Sequence, residues 1–306
     1  MISPAHIRLF STAIHIMQAS KYLLFFEIQH QKQATWPALL TRHINLIFGL
    51  QNMADESVVV EHGTTTSITL NRPDIHNAIN FDVLTGLRDA FASLLKDNSC
   101  RSIVLKGAGK SFCSGSDIKY LAAFKNSGEA AEFFDMMYIV YHYVESIDKP
   151  VIAEIHGSCM GAGLELAAVC DLRIASSDAT FAMPEVKLGI TPSGGATYRL
   201  PTVIGQTATR YMVLTGETIG ADEAYRIGLL NKVVEPAKLD EEVRKVAEAI
   251  NASSRTAVGN AKLAMTENQK FERRMEREKY IQSFIDTDGK EGLDAFINHR
   301  KPEFKS

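Results

Sequence analysis

Residues 150–171 read Pro-Val-Ile-Ala-Glu-Ile-His-Gly-Ser-Cys-Met-Gly-Ala-Gly-Leu-Glu-Leu-Ala-Ala-Val-Cys-Asp. An apolar run of strand length leads through a turn of small residues into an apolar run of helix length, which predicts a strand, a turn and a helix that begins near Ala162. Glu165 would lie in the first turn of this helix, on a face shared with Ala168 and Val169. A buried carboxylate is costly there unless it is paired or used in chemistry. Taken alone, the stretch favours the plainer interpretation, an acid that complements the helix dipole at a solvated end.

A second acidic residue, Glu185, lies in a segment that glycine and proline punctuate. Residues 179–197 contain two prolines and three glycines, which predicts a loop whose backbone is held in specific turns. Loops on rigid scaffolds often carry function. Without other segments, an ordinary surface turn with an exposed acid remains the favoured interpretation.

A third segment, residues 102–119, runs from a short apolar strand into a small polar loop that contains glycine. Such a loop can bring backbone N–H groups close to a ligand oxygen. It is not a phosphate-binding P-loop, because Val104 stands where the first glycine is required. The dinucleotide-binding fingerprint, which Gly161-Ala-Gly163 in the first stretch would begin, fails as well, because Leu166 stands where its last glycine is required. Nucleotide binding is therefore disfavoured.

The coarse order of elements after residue 57 predicts an α/β fold. Strand-like patterns fade after about Gln206, where charged, helix-forming residues dominate. The predicted elements are two hairpin-like strands of which the first spans 57–61, helices near 81–95 and 129–147, a strand near 103, a strand, helix and strand that end at 175, and later helices at 239–250 and 272–285.

The composition is that of an ordinary globular protein. The 306 residues are 45% hydrophobic and carry a formal net charge of −3, so dedicated nucleic-acid binding is disfavoured. No apolar run is long enough to cross a membrane. The cysteines show no metal-ligand spacing, which predicts no metal site and a reducing, cytoplasmic compartment. They are Cys100, Cys113, Cys159 and Cys170.

Residues 1–52 differ from the rest of the chain. They carry five of its 69 charged residues and four of its nine histidines. One interpretation is a transit peptide, which would direct the protein to the mitochondrial matrix. The favoured hypothesis is that Met53 is the true start and that the upstream segment is not translated.

From about Val58 to the C-terminus the chain resembles the crotonase superfamily of enoyl-CoA hydratases and isomerases. Each matching motif is weak alone, but together and in order they are specific. The motifs are Ile68-Thr-Leu-Asn-Arg-Pro73, Asn77-Ala-Ile79, Phe112-Cys-Ser-Gly-Ser-Asp-Ile118, His156-Gly157 through Glu165-Leu166, Pro184-Glu185, Arg199-Leu-Pro201 and Leu214-Thr-Gly216.

The resemblance implies a crotonase-like spiral of ββα units with a helical C-terminal region. Residues 53–205 would form the α/β core with the active site. Residues 206–306 would form helices that build a homotrimer or a dimer of trimers.

The resemblance also implies a thioester enzyme in which two backbone N–H groups form an oxyanion hole for the carbonyl oxygen of an acyl-CoA. By position these donors are Ser116 and Ala162, and such a donor contributes about 3 to 4 kcal/mol in acyl-transfer enzymes. Glu165 would activate the water that attacks Cβ, and Glu185 would handle the proton at Cα. Coenzyme A is part of the substrate, and no separate cofactor is implied.

Other positions carried over from the family concern the substrate and the water. Asp117, Ile118 and Lys119 would lie along the CoA moiety, with Lys119 a candidate partner for its phosphates; a solvated loop lysine is an equal alternative. Ser193 stands where a glycine usually supports the catalytic water. Ala162 replaces the middle of a glycine run, so it must adopt a backbone conformation open to alanine.

Retention of both glutamates favours an enoyl-CoA hydratase, a lyase of the kind used in fatty-acid β-oxidation. Double-bond isomerisation, or hydration of a branched substrate such as a methylglutaconyl-CoA, remains an alternative. A binding role without catalysis is a weaker one.

Overall fold

The computed structural model describes residues 57–266, 281, 284 and 287–303. The predicted N-terminal extension, residues 1–52, lies outside them, as does almost all of the helix predicted at 272–285.

Within these residues the strands are short, and most of them alternate with helices. The strands are β1 (Val58–Glu61), β2 (Thr65–Leu70), β3 (Ser102–Gly107), β4 (Val151–Ile155), β5 (Ser158–Met160), β6 (Leu172–Ser176), β7 (Thr180–Ala182), β8 (Ile219–Gly220) and β9 (Lys232–Val234). The helices are α1 (Phe81–Leu94), α2 (Ile118–Ala122), α3 (Ser127–Ser146), α4 (Ala162–Val169), α5 (Leu200–Thr215), α6 (Ala221–Arg226), α7 (Leu239–Asn251), α8 (Arg255–Thr266) and α9 (Thr287–Ile297).

The main sheet has the strand order β1-β2-β3-β4-β6-β9. Only the β1–β2 hairpin is antiparallel; the other pairs are parallel. The inner strands β3 and β4 are almost wholly buried, as expected for parallel strands covered on both faces. A smaller sheet has the strand order β5-β7-β8.

Helix α7 shows how sequence pattern produces the packing on one face of the main sheet. Its buried residues Leu239, Val243 and Ala247 recur every four positions, which forms one apolar stripe on a helix. This stripe packs on Val104, Ile152 and Ile174 of β3, β4 and β6. Helices α1, α3 and α4 contribute to the larger core, which also includes the inward side chains of the smaller sheet.

The predicted α/β architecture with a helical C-terminal region is confirmed, with two corrections. The segment after Gln206 is not free of strands, because β8 joins the smaller sheet and β9 extends the main one. Both are only two or three residues long, too short for an alternating pattern to show. The predicted loop at 179–197 contains β7 and a 3-10 turn, Pro184–Leu188.

No helix in the described ranges is both long and apolar enough to cross a bilayer.

Candidate active site

Three neighbouring parallel strands lead into the segments that carry the candidate residues. Strand β3 precedes the loop with Ser116, β4 precedes α4 with Glu165, and β6 precedes the turn with Glu185. The carboxyl ends of parallel strands lie on one edge of a sheet, where α/β proteins commonly bind ligands. The fold therefore brings three segments, far apart in sequence, to one place.

The residues on either side of Ser116 are held by backbone hydrogen bonds to Ile79. Ile79 donates its N–H to the carbonyl of Gly115 at 2.8 Å, and Asp117 donates to the carbonyl of Ile79 at 2.8 Å. In an extended segment adjacent N–H groups alternate in direction, so the N–H of Ser116 points away from Ile79. Across the part of the chain that the structure describes, it donates to no protein acceptor.

Ala162 is the first residue of α4. The positive φ in this turn belongs to the preceding residue, Gly161. Gly161 has φ 48° and ψ −123°, which favours glycine, while Ala162 itself is helical. Alanine is therefore accommodated at this position. Its N–H is one of the helix-terminal donors without an intrahelical partner, and it has no protein acceptor among the described residues.

These two segments lie against each other. Met160 donates to the carbonyl of Cys113 at 3.0 Å. A Cβ built on Gly115 would stand 3.8 Å from the nitrogen of Ala162. The structure thus brings the N–H groups of Ser116 and Ala162 to the same side of the fold.

Glu165 lies in the first turn of α4, and 1% of its surface is exposed. Its Oε1 accepts hydrogen bonds from the backbone N–H groups of Ser193 at 3.1 Å, Gly194 at 2.6 Å and Ala196 at 3.4 Å. Hydrogen bonds from backbone N–H groups stabilise a buried carboxylate. Ser193, expected to support a water, here supports Glu165 with its backbone; contact with a water stays a prediction.

Glu185 is also buried, at 9% exposure, in the 3-10 turn after β7. A Cβ built on Gly161 would stand 2.9 Å from Glu185 Oε1, so this carboxylate lies beside the residue that precedes Ala162. Burial at both positions excludes the plainer interpretation, in which each acid is solvated.

Tyr141 of α3 lies beside Glu165, since a Cβ built on Gly194 would meet both the Tyr141 ring and Glu165 Oε2. Its hydroxyl donates to the carbonyl of Ala162 at 2.9 Å, and 1% of the residue is exposed. Burial raises the pKa of the Tyr141 hydroxyl well above its ordinary value, and the negative charges of Glu165 and, more weakly, Glu185 add to this effect. The tyrosine therefore stays protonated and keeps its role as a donor.

A cavity of about 380 Å³ opens beside Ser116 and Ala162, and Glu165 and Tyr141 are not among its lining residues. Ser116, Ala162, Glu185 and Ser193 line it together with apolar side chains. Part of its wall comes from the C-terminal segment, which includes Phe296 of α9. This volume is within the range of small-molecule sites.

The three residues predicted along a CoA moiety have different positions. Ile118 lines the cavity. Asp117 caps α2 through the N–H of Tyr120 and forms an ion pair with Arg72 at 3.2 Å, so it stabilises the loop. Lys119 is exposed and is not part of the cavity lining; its contact with phosphates stays a prediction.

Comparison with known proteins decides the family. The model of the enoyl-CoA hydratase/isomerase family matches residues 61–306. The chain belongs to this family. It is 39% identical over 260 residues to the crotonyl-CoA hydratase of Syntrophomonas wolfei, covering 83% of this chain and 100% of that protein. It is 37% identical over 251 residues to the short-chain-enoyl-CoA hydratase of Clostridium acetobutylicum, covering 80% and 96%.

A solved structure of the family confirms the crotonase fold. The enoyl-CoA hydratase from Mycobacterium avium subsp. paratuberculosis aligns with a TM-score of 0.73 and 27% identity. The alignment covers 82% of this chain and 99% of that one.

The four cysteines are buried packing residues in this family member. Burial raises the pKa of the Cys113 and Cys170 thiols to about 12, so they are not reactive thiolates near neutral pH. Among the described residues no cluster of three metal-ligating side chains occurs; the absence of a metal requirement stays a prediction.

The sequence assigned no role to three residues around the site, Tyr141, Glu145 and Arg199; of these, only Arg199 lies in a family motif, Arg199-Leu-Pro201. Glu145 could have been found from the sequence, because it lies four positions after Tyr141 and interrupts an apolar helix face. Nothing local indicated its partner, which is 54 residues away.

Replacing Gly194 by Ala is expected to destabilise the fold. The added Cβ would overlap the Tyr141 ring and stand 2.5 Å from Glu165 Oε2. Overpacking of this kind lowers the free energy of unfolding by about 1–3 kcal/mol. Urea denaturation measures it. Gly220→Ala is the matched control, since nothing lies within 4 Å of its Cβ; equal stability of the two variants would contradict the close packing at Gly194.

Proposed function

We propose that this chain is an enoyl-CoA hydratase, a hydro-lyase that adds water across the 2,3 double bond of an acyl-CoA thioester. The observation that carries the proposal is the pair of buried carboxylates, Glu165 and Glu185, set around two backbone N–H groups that have no described protein acceptor. The names of the relatives support the same reaction.

In the proposed mechanism the N–H groups of Ser116 and Ala162 bind the thioester carbonyl oxygen. Attack at Cβ pushes the electrons of the double bond onto this oxygen, and preorganised donors stabilise the enolate that forms. The position of Ala162 at the start of α4 adds the positive end of a helix dipole.

The two glutamates divide the elements of water. Glu165 takes a proton from the water as the water oxygen bonds to Cβ. Glu185 then gives a proton to Cα as the enolate collapses. Glu185 must therefore hold a proton, and Glu165 must be ionised, at the start of each turnover. Proton transfer from Glu165 back to Glu185 resets the site.

The backbone contacts of Glu165 support its assignment to the water. Three N–H groups bind Oε1 and fix the carboxylate's direction, so a water on Oε2 would be held in one orientation relative to the substrate. Such positioning of reactants is a large part of catalysis.

Purified protein is expected to remove the ultraviolet absorbance of the conjugated enoyl thioester when it is mixed with crotonyl-CoA. Formation of 3-hydroxybutyryl-CoA, measured by mass spectrometry as a gain of one water, identifies the reaction. 3-Butenoyl-CoA tests the isomerase alternative by a rise in this absorbance without a change of mass, and 3-methylglutaconyl-CoA tests the branched-chain alternative by the gain of one water. Faster turnover of either substrate than of crotonyl-CoA would favour the isomerase or the branched-chain hydratase.

A further inference from the structure

A buried ion pair lies behind the loop that holds Glu165. Glu145 Oε1 of α3 accepts a hydrogen bond from Nε of Arg199 at 2.8 Å and forms an ion pair with Nη2 at 2.8 Å. The two residues are 9% and 3% exposed. Burying two charges is costly, so an ion pair at such a place rarely stabilises a fold more than apolar packing would. The pair therefore calls for a role beyond stability.

Arg199 has a second contact, and this one reaches the loop. Its Nη1 donates to the carbonyl of Gly194 at 2.7 Å. Only the planar fork of a guanidinium can bind a carboxylate and a carbonyl in fixed directions at once. Glu145 orients the fork, and the fork fixes the peptide that begins at Gly194.

Gly194 connects this pair with the proposed catalytic carboxylate. Its N–H makes the shortest of the three hydrogen bonds to Glu165 Oε1, at 2.6 Å. The other two donors, Ser193 and Ala196, lie next to it in the same loop. Displacement of Gly194 would therefore move the donors that aim Glu165.

We propose that Glu145 and Arg199 are positioning residues for Glu165, acting through the backbone of residues 193–196. This inference rests on the proposed function, since it concerns the aim of the carboxylate that activates water. It assigns no contact with substrate to either residue. It concerns the water side of the site, because the contacts run from Arg199 through Gly194 to Glu165.

Glu145→Gln tests the proposal by a split between two reactions. Hydration of crotonyl-CoA needs Glu165, whereas exchange of the Cα hydrogens of butyryl-CoA with D2O needs only Glu185 and the carbonyl-binding N–H groups. The variant is expected to lower kcat for hydration by about 10- to 100-fold, with KM within about twofold and the exchange rate within about threefold of wild type. An equal loss in both reactions, or no loss in either, would overturn the proposal.

Two further variants guard against a simple folding defect. Arg199→Lys keeps the positive charge but loses the fork, and it is expected to give the same split. Glu248→Gln removes the carboxylate of an exposed ion pair with Arg244 on α7 and is expected to leave both reactions unchanged.

Amide hydrogen exchange at residues 193, 194 and 196 tests the positioning without any catalytic assay. These N–H groups are expected to exchange at least about tenfold faster in Glu145→Gln than in wild type, because the loop that carries them is no longer held against Glu165. Unchanged protection would overturn the positioning. If wild type failed to hydrate crotonyl-CoA while the variant lost protection, the proposed function alone would fail.

Discussion

Glu165→Gln is expected to lower kcat for crotonyl-CoA hydration by about 10²- to 10⁴-fold, the usual contribution of a positioned general base. The amide cannot take a proton from water, but its oxygen can still accept the hydrogen bonds from residues 193–196. The variant should therefore fold and bind substrate, with KM within about threefold of wild type. Steady-state kinetics measure both constants.

Glu154→Gln is the matched control for this substitution. Glu154 is another buried glutamate, at 9% exposure. It shares a face of β4 with Ile152, which packs on α7. Glu154→Gln should leave kcat for crotonyl-CoA hydration unchanged. If Glu165→Gln kept a rate within about twofold of wild type, the role assigned to Glu165 would be wrong.

Glu185→Gln is expected to cause a comparable loss of hydration, about 10²- to 10⁴-fold, and in addition to abolish exchange of the Cα hydrogens of butyryl-CoA. The reason is that Glu185 lies beside Gly161, next to the proposed carbonyl-binding N–H of Ala162. Proton NMR of butyryl-CoA in D2O follows the exchange directly.

Glu165→Gln serves here as the control, because it should retain exchange while it loses hydration. Loss of exchange in Glu165→Gln and its retention in Glu185→Gln would mean that the two roles are reversed. Loss in both variants would mean that the division of labour is wrong.

The sequence allowed much of the fold to be predicted where a pattern was long or locally punctuated. The start of α4 at Ala162 follows from small residues that end an apolar strand, and the structure confirms it. Helices α1 and α3 were predicted within two residues of their ends. Strand β9 was not predicted, because three residues at the edge of a sheet carry no period.

The candidate site shows the same limit. Glu165, Glu185, Ser116 and Ala162 could be selected through the resemblance to the crotonase superfamily, because each lies in one of the matching motifs. The residues that hold them in place could not be predicted. The hydrogen bonds from Arg199 to Glu145 and from Tyr141 to Ala162 join segments 54 and 21 residues apart. Assembly into trimers, also implied by the family resemblance, stays a prediction.

The most direct measurement is the initial rate of crotonyl-CoA hydration by wild type, by Glu165→Gln, by Glu185→Gln and by the double variant. If the two glutamates act in successive steps of one reaction, wild type turns over and the double variant is no more than about threefold slower than the slower single variant. A wild-type protein that leaves crotonyl-CoA unchanged, or a double variant that hydrates it at the wild-type rate, would contradict the account.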